Sequence, residues 1–182
     1  MRLALASLLL VFAAPARADG DVLPLNPPPA TTHTYVEARL GAVGLQPLGT
    51  RESGALRYGP AFELGAGIGF RFLDLGLVGR YGTAAGQSYA AVGPELALRK
   101  SLGDGATLRI GIIPLYAVAW EANGAHSRIG ADAIAQFLFT IDNKSRPAWR
   151  AGVGLRAGRW ATIRADDPGW SLGVDLLVRS WW

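Results

Sequence analysis

The sequence contains no cysteine. Disulfide staples, thiolate metal sites and lipid attachment to an N-terminal cysteine are therefore excluded. Lysine is nearly missing as well. Lys100 and Lys144 are the only lysines among 18 basic residues. Soluble surfaces normally lean on lysine, whereas arginine suits buried bidentate pairing. Histidine occurs only as His33 and His126. Beyond the first segment no run of about 18 apolar residues occurs, so no helix is expected to span a bilayer. The formal charge is +4, but no basic cluster with interleaved aromatics marks a nucleic-acid surface. No nucleic-acid partner, no cofactor and no metal is expected.

The N-terminus has the layout of a secretion signal. Met1-Arg2 is a short basic start, residues 3–14 are an apolar core, and Ala16-Arg17-Ala18 is a small-x-small cleavage site. Residues 1–18 are read as a signal peptide, with the mature chain beginning near Asp19. Arg2 and Arg17 leave with it, so the mature positive excess is small. Residues 19–33 are proline-rich and aperiodic, and read as an extended periplasmic lead-in. Residues 34–182 are of a length for one domain.

What fills that domain is alternation. In 61–72, Phe62, Leu64, Ala66, Ile68, Phe70 and Phe72 share one face, while Glu63, Gly65, Gly67, Gly69 and Arg71 share the other. Period-two patterning of this kind predicts a strand. Similar strands are predicted at 35–45, 75–81, 89–100, 106–120, 129–141 and 149–158, with a last one at 170–182. Pro94 removes a ladder donor, which predicts a bulge there. The second half of 106–120 is apolar on both faces. The connections alternate: longer at 46–60, 82–88, 121–128 and 159–169, shorter at 73–74, 101–105 and 142–147. Short turns at one end and long loops at the other fit an even-stranded membrane barrel with its N-terminus in the periplasm.

A soluble ligand-carrying barrel alternates in the same way. Three features favour the membrane reading. Aromatics lie near the ends of the apolar rows (Phe70, Phe72, Tyr81, Trp120, Phe139, Trp149, Trp170 and Trp182), at girdle heights. The polar rows consist of glycine, arginine and acids. The last strand carries Val174, Leu176 and Val178 at alternate positions up to Trp182. That pattern resembles the assembly signal of bacterial outer-membrane barrels. The chain as a whole resembles the small eight-stranded barrels of the OmpA transmembrane-domain and OmpX type, through architecture rather than a diagnostic motif. The resemblance implies an all-β, eight-stranded, antiparallel up-and-down transmembrane barrel in the outer membrane. It implies outer-membrane lipids, lipopolysaccharide and the barrel-assembly machinery as partners, and a monomer. No wall-binding segment is expected after the barrel.

Eight strands leave an interior just wide enough for side chains to fill. The polar rows would place there Glu37, Glu63, Glu95, Asp132 and Asp175, together with Arg39, Arg71, Arg80, Arg99, Arg109, Arg150, Arg156 and Arg179. Charges so placed should pair, because an unpaired buried charge costs several kcal/mol. A structural salt-bridge plug is one outcome. A narrow anion-preferring path is the other. The only candidate for catalysis is His126-Ser127, expected in the third outer loop. It resembles the Ser/His chemistry of lipid A deacylases and palmitoyltransferases, which are also eight-stranded barrels. The sequence departs from the His-x-Ser-Asn pattern of the deacylases. Ser127 is adjacent to His126, Arg128 follows, and adjacent strand residues point to opposite faces. The run Gly65-Ala66-Gly67-Ile68-Gly69 spells a dinucleotide fingerprint but lies in an alternating strand and opens no helix. A non-enzymatic surface barrel is the expected role.

Overall fold

The computed structural model describes residues 32–46, 55–84, 86–103, 105–121, 124–142, 148–162 and 169–182. The signal peptide, and the lead-in as far as residue 31, lie outside the described residues. Eight strands follow in order: β1 (His33–Leu45), β2 (Arg57–Gly69), β3 (Leu73–Ala84), β4 (Gln87–Ser101), β5 (Ala106–Glu121), β6 (Gly124–Asp142), β7 (Ala148–Thr162) and β8 (Gly169–Trp181). Each pairs antiparallel with its sequence neighbours, and β1 pairs with β8, so the sheet is a closed barrel. At the seam Ala38 faces Val178 and Leu40 faces Leu176. Thr34 and Trp182 exchange main-chain hydrogen bonds of 3.1 and 3.2 Å. Closure leaves no unpaired edge.

The alternation resolves into inside and outside. Even-numbered residues of β1 and β8 face out: Val36, Leu40, Leu172, Val174, Leu176 and Val178 are all exposed. Odd-numbered residues face in: Tyr35, Glu37, Arg39, Asp175, Leu177 and Arg179 are buried. The other strands repeat this arrangement, so apolar side chains cover the outer wall. Exposed aromatics mark its two ends. Phe70, Phe72, Phe139, Trp149 and Trp182 lie towards the end that holds His33 and Trp182, here the terminal end. Tyr58, Tyr81, Tyr116, Trp120 and Trp170 lie towards the opposite end.

The interior has two zones. Near the opposite end Val43, Ala61, Val78, Tyr89, Ala91, Ile113, Leu115, Ala117 and Trp160 form an apolar cluster. This is why the second half of β5 is apolar on both faces: one face is the outer wall and the other this cluster. Most ionised residues occupy the middle and the terminal end, but Arg128 is buried at the edge of the apolar cluster, where it donates to Gln87 at 2.6 Å. A cavity of about 10 Å³ lies among Leu45, Tyr89, Ala117, Arg128 and Trp160, room for about one water.

Several expected boundaries move. The β2–β3 turn falls at 70–72 rather than 73–74, with the Phe70 N–H donating to the Leu73 carbonyl at 2.7 Å. Asp74 therefore stands on β3 facing inward, and Arg71 is exposed in the turn. His33 opens β1 instead of ending the lead-in. Two of the expected long loops shrink because pairing continues through them. Ala84 pairs with Gln87, and Glu121 with Gly124. Gly86 (φ 76) and Gly124 (φ 127) supply the left-handed backbone that such tight reversals need. No bulge forms at Pro94. The β4–β5 register runs from Val92–Tyr116 to Leu96–Ile112 without a shift. Pro94 falls opposite Pro114 in that register, so neither demands a donor of the other. The irregularity lies instead between Thr140 and Asp142 on β6.

Gly93, beside this proline pair, faces in, and a Cβ there would run into the Pro114 carbonyl. Gly93→Val is expected to lower unfolding free energy by about 1–3 kcal/mol, as overpacking does. Gly79 has open space around it, and Gly79→Val should stay within about 0.5 kcal/mol. Urea titration of the folded barrel measures both.

Candidate functional site

The side chains that could carry function meet inside the barrel. An inward residue on each strand points at the axis, so groups far apart in sequence converge. Arg39 on β1 donates to Glu37, to Glu63 on β2 and, at 2.7 Å, to Glu95 on β4. Glu63 also accepts from Arg80 on β3 at 2.7 Å and from Arg156 on β7 at 2.9 Å. Arg80 continues to Asp132 on β6 at 2.6 Å. Arg156 continues to Asp175 on β8. Arg109 on β5 joins Glu95 at 3.0 Å, Asp74 at 2.8 Å and Gln136 at 2.6 Å. Arg179 on β8 reaches Asp74 at 2.8 Å. Every strand contributes, and the pairs form one connected network.

Its members are deeply buried. Arg109 and Asp132 are 0% exposed, and Glu37 and Glu63 1%. Burial makes charge costly unless each group finds several partners. Sharing meets that need: Glu63 is bound by three arginines and Arg39 by three carboxylates. The guanidinium fork suits this, since its donors diverge in one plane. Glycines provide the room. A Cβ at Gly173 would press on the Arg156 stem, and one at Gly158 on the Asp132 carboxylate.

Of the thirteen ionised residues that the sequence places in the interior, eleven belong to this network or bind into it. Arg99 joins through Asp74 at 3.2 Å, and also meets His33 Nε2 at 2.7 Å and the Phe70 carbonyl at 2.6 Å. Arg150 lies inside but pairs differently, with the Thr107 hydroxyl at 2.9 Å and over the Trp181 ring at 4.3 Å. Arg71 is the correction. It is exposed in the β2–β3 turn, because the turn falls earlier than the alternation implied. Val174, Leu176, Val178 and Trp182 are exposed on the outer wall.

Several members of the network carry no charge on the expected inward rows to mark them. The alternation puts Asp74 in a turn, and a turn three residues earlier brings it onto the inward row of β3. Gln136 was on the polar face but carries no charge to flag it. Trp160 donates to Asp132 at 3.2 Å and to Ser171 at 3.1 Å, and Ser171 donates to Asp132 at 2.9 Å. Tyr35 lies beneath Arg179, whose guanidinium carbon is 3.7 Å from the ring centre.

His126 and Ser127 lie on opposite rows of one strand. Both stand on β6 rather than in a loop. His126 pairs across from the inward Ala119, on the inward row at the rim. Ser127 is on the outward row, hydrogen-bonded to the Tyr116 hydroxyl at 2.9 Å. Strand geometry sends neighbours to opposite faces. Among the described residues no group of His, Asp or Glu is arranged to hold a metal.

Among solved structures, Neisserial surface protein A (NspA), from Neisseria, matches with a TM-score of 0.63 at 11% identity, over 81% of this chain and 96% of that one. Ail, the attachment invasion locus protein of Yersinia pestis, matches with a TM-score of 0.40 at 10% identity, over 82% and 98%. At that score the Ail match carries no weight. No protein-family model matches the sequence, and no curated protein sequence matches it significantly. The likeness to NspA is one of fold: a closed, eight-stranded antiparallel barrel.

Removing Arg39 would leave three buried carboxylates short of a partner. Arg39→Met is expected to cost about 3–5 kcal/mol, the usual effect of breaking a buried pair. Arg71→Met, at an exposed turn, should change stability by no more than about 0.5 kcal/mol. Urea unfolding of the two variants separates them.

Proposed function

We propose that this chain is an integral outer-membrane barrel, held shut by its ion-paired interior and acting without catalysis at the cell surface. The observation that carries the reading is the inversion of polarity. The wall is apolar from one aromatic end to the other, and the centre is charged. A soluble monomer rarely exposes an apolar patch above a few hundred Å², whereas a bilayer covers such a wall. The shortest strand, β3, has 12 residues, and a tilted strand needs about 9–11 to cross. The two aromatic ends fall where interfacial rings are favoured. A cleaved signal peptide, the barrel-assembly machinery and lipopolysaccharide as neighbours fit this location, and so does a monomeric state.

The interior favours a plug over a path. A conducting anion route needs arginines free to exchange partners. Here the central arginines each hold two or more acceptors from different strands, and Arg80 bridges Glu63 on β2 and Asp132 on the opposite wall, β6. The role then lies with the outer rim and its connections, in envelope integrity or surface contact. Deletion of those connections should weaken an adhesion or envelope phenotype.

Leu176 lies near mid-height on the outer wall and is 67% exposed. Leu176→Arg should cost about 2–4 kcal/mol in a bilayer, as charge on a lipid-facing midplane does. The same change on a water-facing wall would shift stability by no more than about 0.5 kcal/mol. Urea unfolding from lipid vesicles reads the difference. In the same spirit, His126→Ala should leave the lipid A mass spectrum of the producing cells unchanged.

A further inference from the structure

The charges along the lumen are unevenly distributed. At mid-height five carboxylates, Glu37, Glu63, Glu95, Asp132 and Asp175, surround Arg39, Arg80 and Arg156. Towards the terminal end the balance reverses. Arg99, Arg109 and Arg179 all draw on one carboxylate, Asp74, and Arg150 stands beside them.

The register sharpens the imbalance. Arg99 lies directly across from Arg109, and Arg150 directly across from Arg179. Like charges in directly opposed positions destabilise a sheet. Arg109 and Arg179 recover through Glu95 and Glu37 as well as Asp74. Arg150 has no such recourse. Its partners are a hydroxyl, Thr107, and a ring face, Trp181, and it makes no ion pair among the described residues. Among the described residues four guanidinium nitrogens at this end, Arg109 Nη2, Arg150 Nε and both terminal nitrogens of Arg179, have no protein hydrogen-bond acceptor, although Arg179 Nη2 stands in ion-pair contact with Asp74.

We propose that the terminal end of the lumen is a binding site for an oxyanion, a phosphate or carboxylate group, held between Arg99 and Arg150. Access is from the terminal mouth. The Arg99 side chain is 15% exposed, and Arg150 is half-buried beside Trp181. An oxyanion suits the donors better than a spherical halide, because guanidinium forks present parallel N–H groups matched to two oxygens. The Thr107 hydroxyl accepts from Arg150, so its own proton is free to donate to the same guest. The rim of the site is stiffened by Trp181 stacked on Arg150 and by His33 against Arg99. The guest supplies negative charge beside Arg150, which has no carboxylate partner among the described residues, and it relieves both opposed arginine pairs.

Two sources offer this chemistry, a free phosphate and the phosphate of a lipid headgroup at the barrel mouth. The site stands whichever medium faces the outer wall, so its test is separate from that of the bilayer reading. The experiment uses the folded full chain, with folding checked by circular dichroism. In the first arm, inorganic phosphate is titrated into the barrel in zwitterionic micelles by calorimetry, at constant ionic strength balanced with chloride. Saturable binding is expected, weakened about tenfold or more by Arg150→Gln or Arg99→Gln, as loss of a charge-assisted fork implies. Arg159→Gln, on the outer wall towards the other end, should bind as the parent does. In the second arm, thermal unfolding is compared in phosphatidylcholine nanodiscs with and without phosphatidylglycerol, in phosphate-free buffer. Binding in the first arm identifies a free anion as a sufficient guest. A rise in Tm with phosphatidylglycerol that Arg150→Gln abolishes, without binding in the first arm, identifies the headgroup. No response in either arm overturns the proposal, as does a response that both arginine variants retain. Should Arg150→Gln fail to fold, Arg99→Gln reads the same site from the neighbouring wall.

Discussion

The pairing of β1 with β8 is the constraint on which everything else depends. Without it two strands would present rows of unpaired N–H and C=O groups, and in hydrocarbon each such group costs several kcal/mol. The seam runs from Tyr35–Trp181 to Leu45–Ser171, so the whole length of both strands is engaged. Closure fixes the radius, and the radius fixes how much the inward side chains must fill. With eight strands that space holds side chains and little else.

Filling the space explains the composition. An apolar wall outside leaves the polar rows nowhere to go but inward, where each charge must be answered. Arginine answers better than lysine because one guanidinium can hold several carboxylates at once, as Arg39 does with Glu37, Glu63 and Glu95. Long arginines need short neighbours, and the glycines of the inward rows provide them. The shortage of lysine and the abundance of glycine are thus two aspects of one packing problem. The apolar cluster around Ile113, Leu115 and Trp160 completes the fill where the ionised rows stop.

Much of this was legible from period-two alternation alone. The strand number, the antiparallel neighbours and the inward or outward sense of most residues follow from it, because one face had to be apolar throughout. What alternation cannot supply is where a strand stops. A hairpin continues as long as both arms can pair. Gly82 to Ala84 and residues 124–128 therefore extend the ladder although their composition looked like loop. The same limit hid Asp74, whose inward role depends on a turn placed at Phe70 rather than at Leu73. It also misplaced Arg71, which shares the parity of the inward row but stands beyond the last paired residue, Gly69. Pairing between side chains was less legible still. Nothing in the spacing links Arg80 to Asp132, or Arg156 to Glu63, since those meetings exist only after closure.

The central claim is that the barrel is closed and lies in the outer membrane, with its charges inside. Electrophoretic mobility of the outer-membrane fraction, unheated against boiled, tests it most directly. A closed wall of main-chain hydrogen bonds around a buried ion network should resist detergent until heated. The protein should appear in that fraction, and its band should shift on boiling. A protein recovered soluble from the periplasm, with the same mobility before and after boiling, would contradict it.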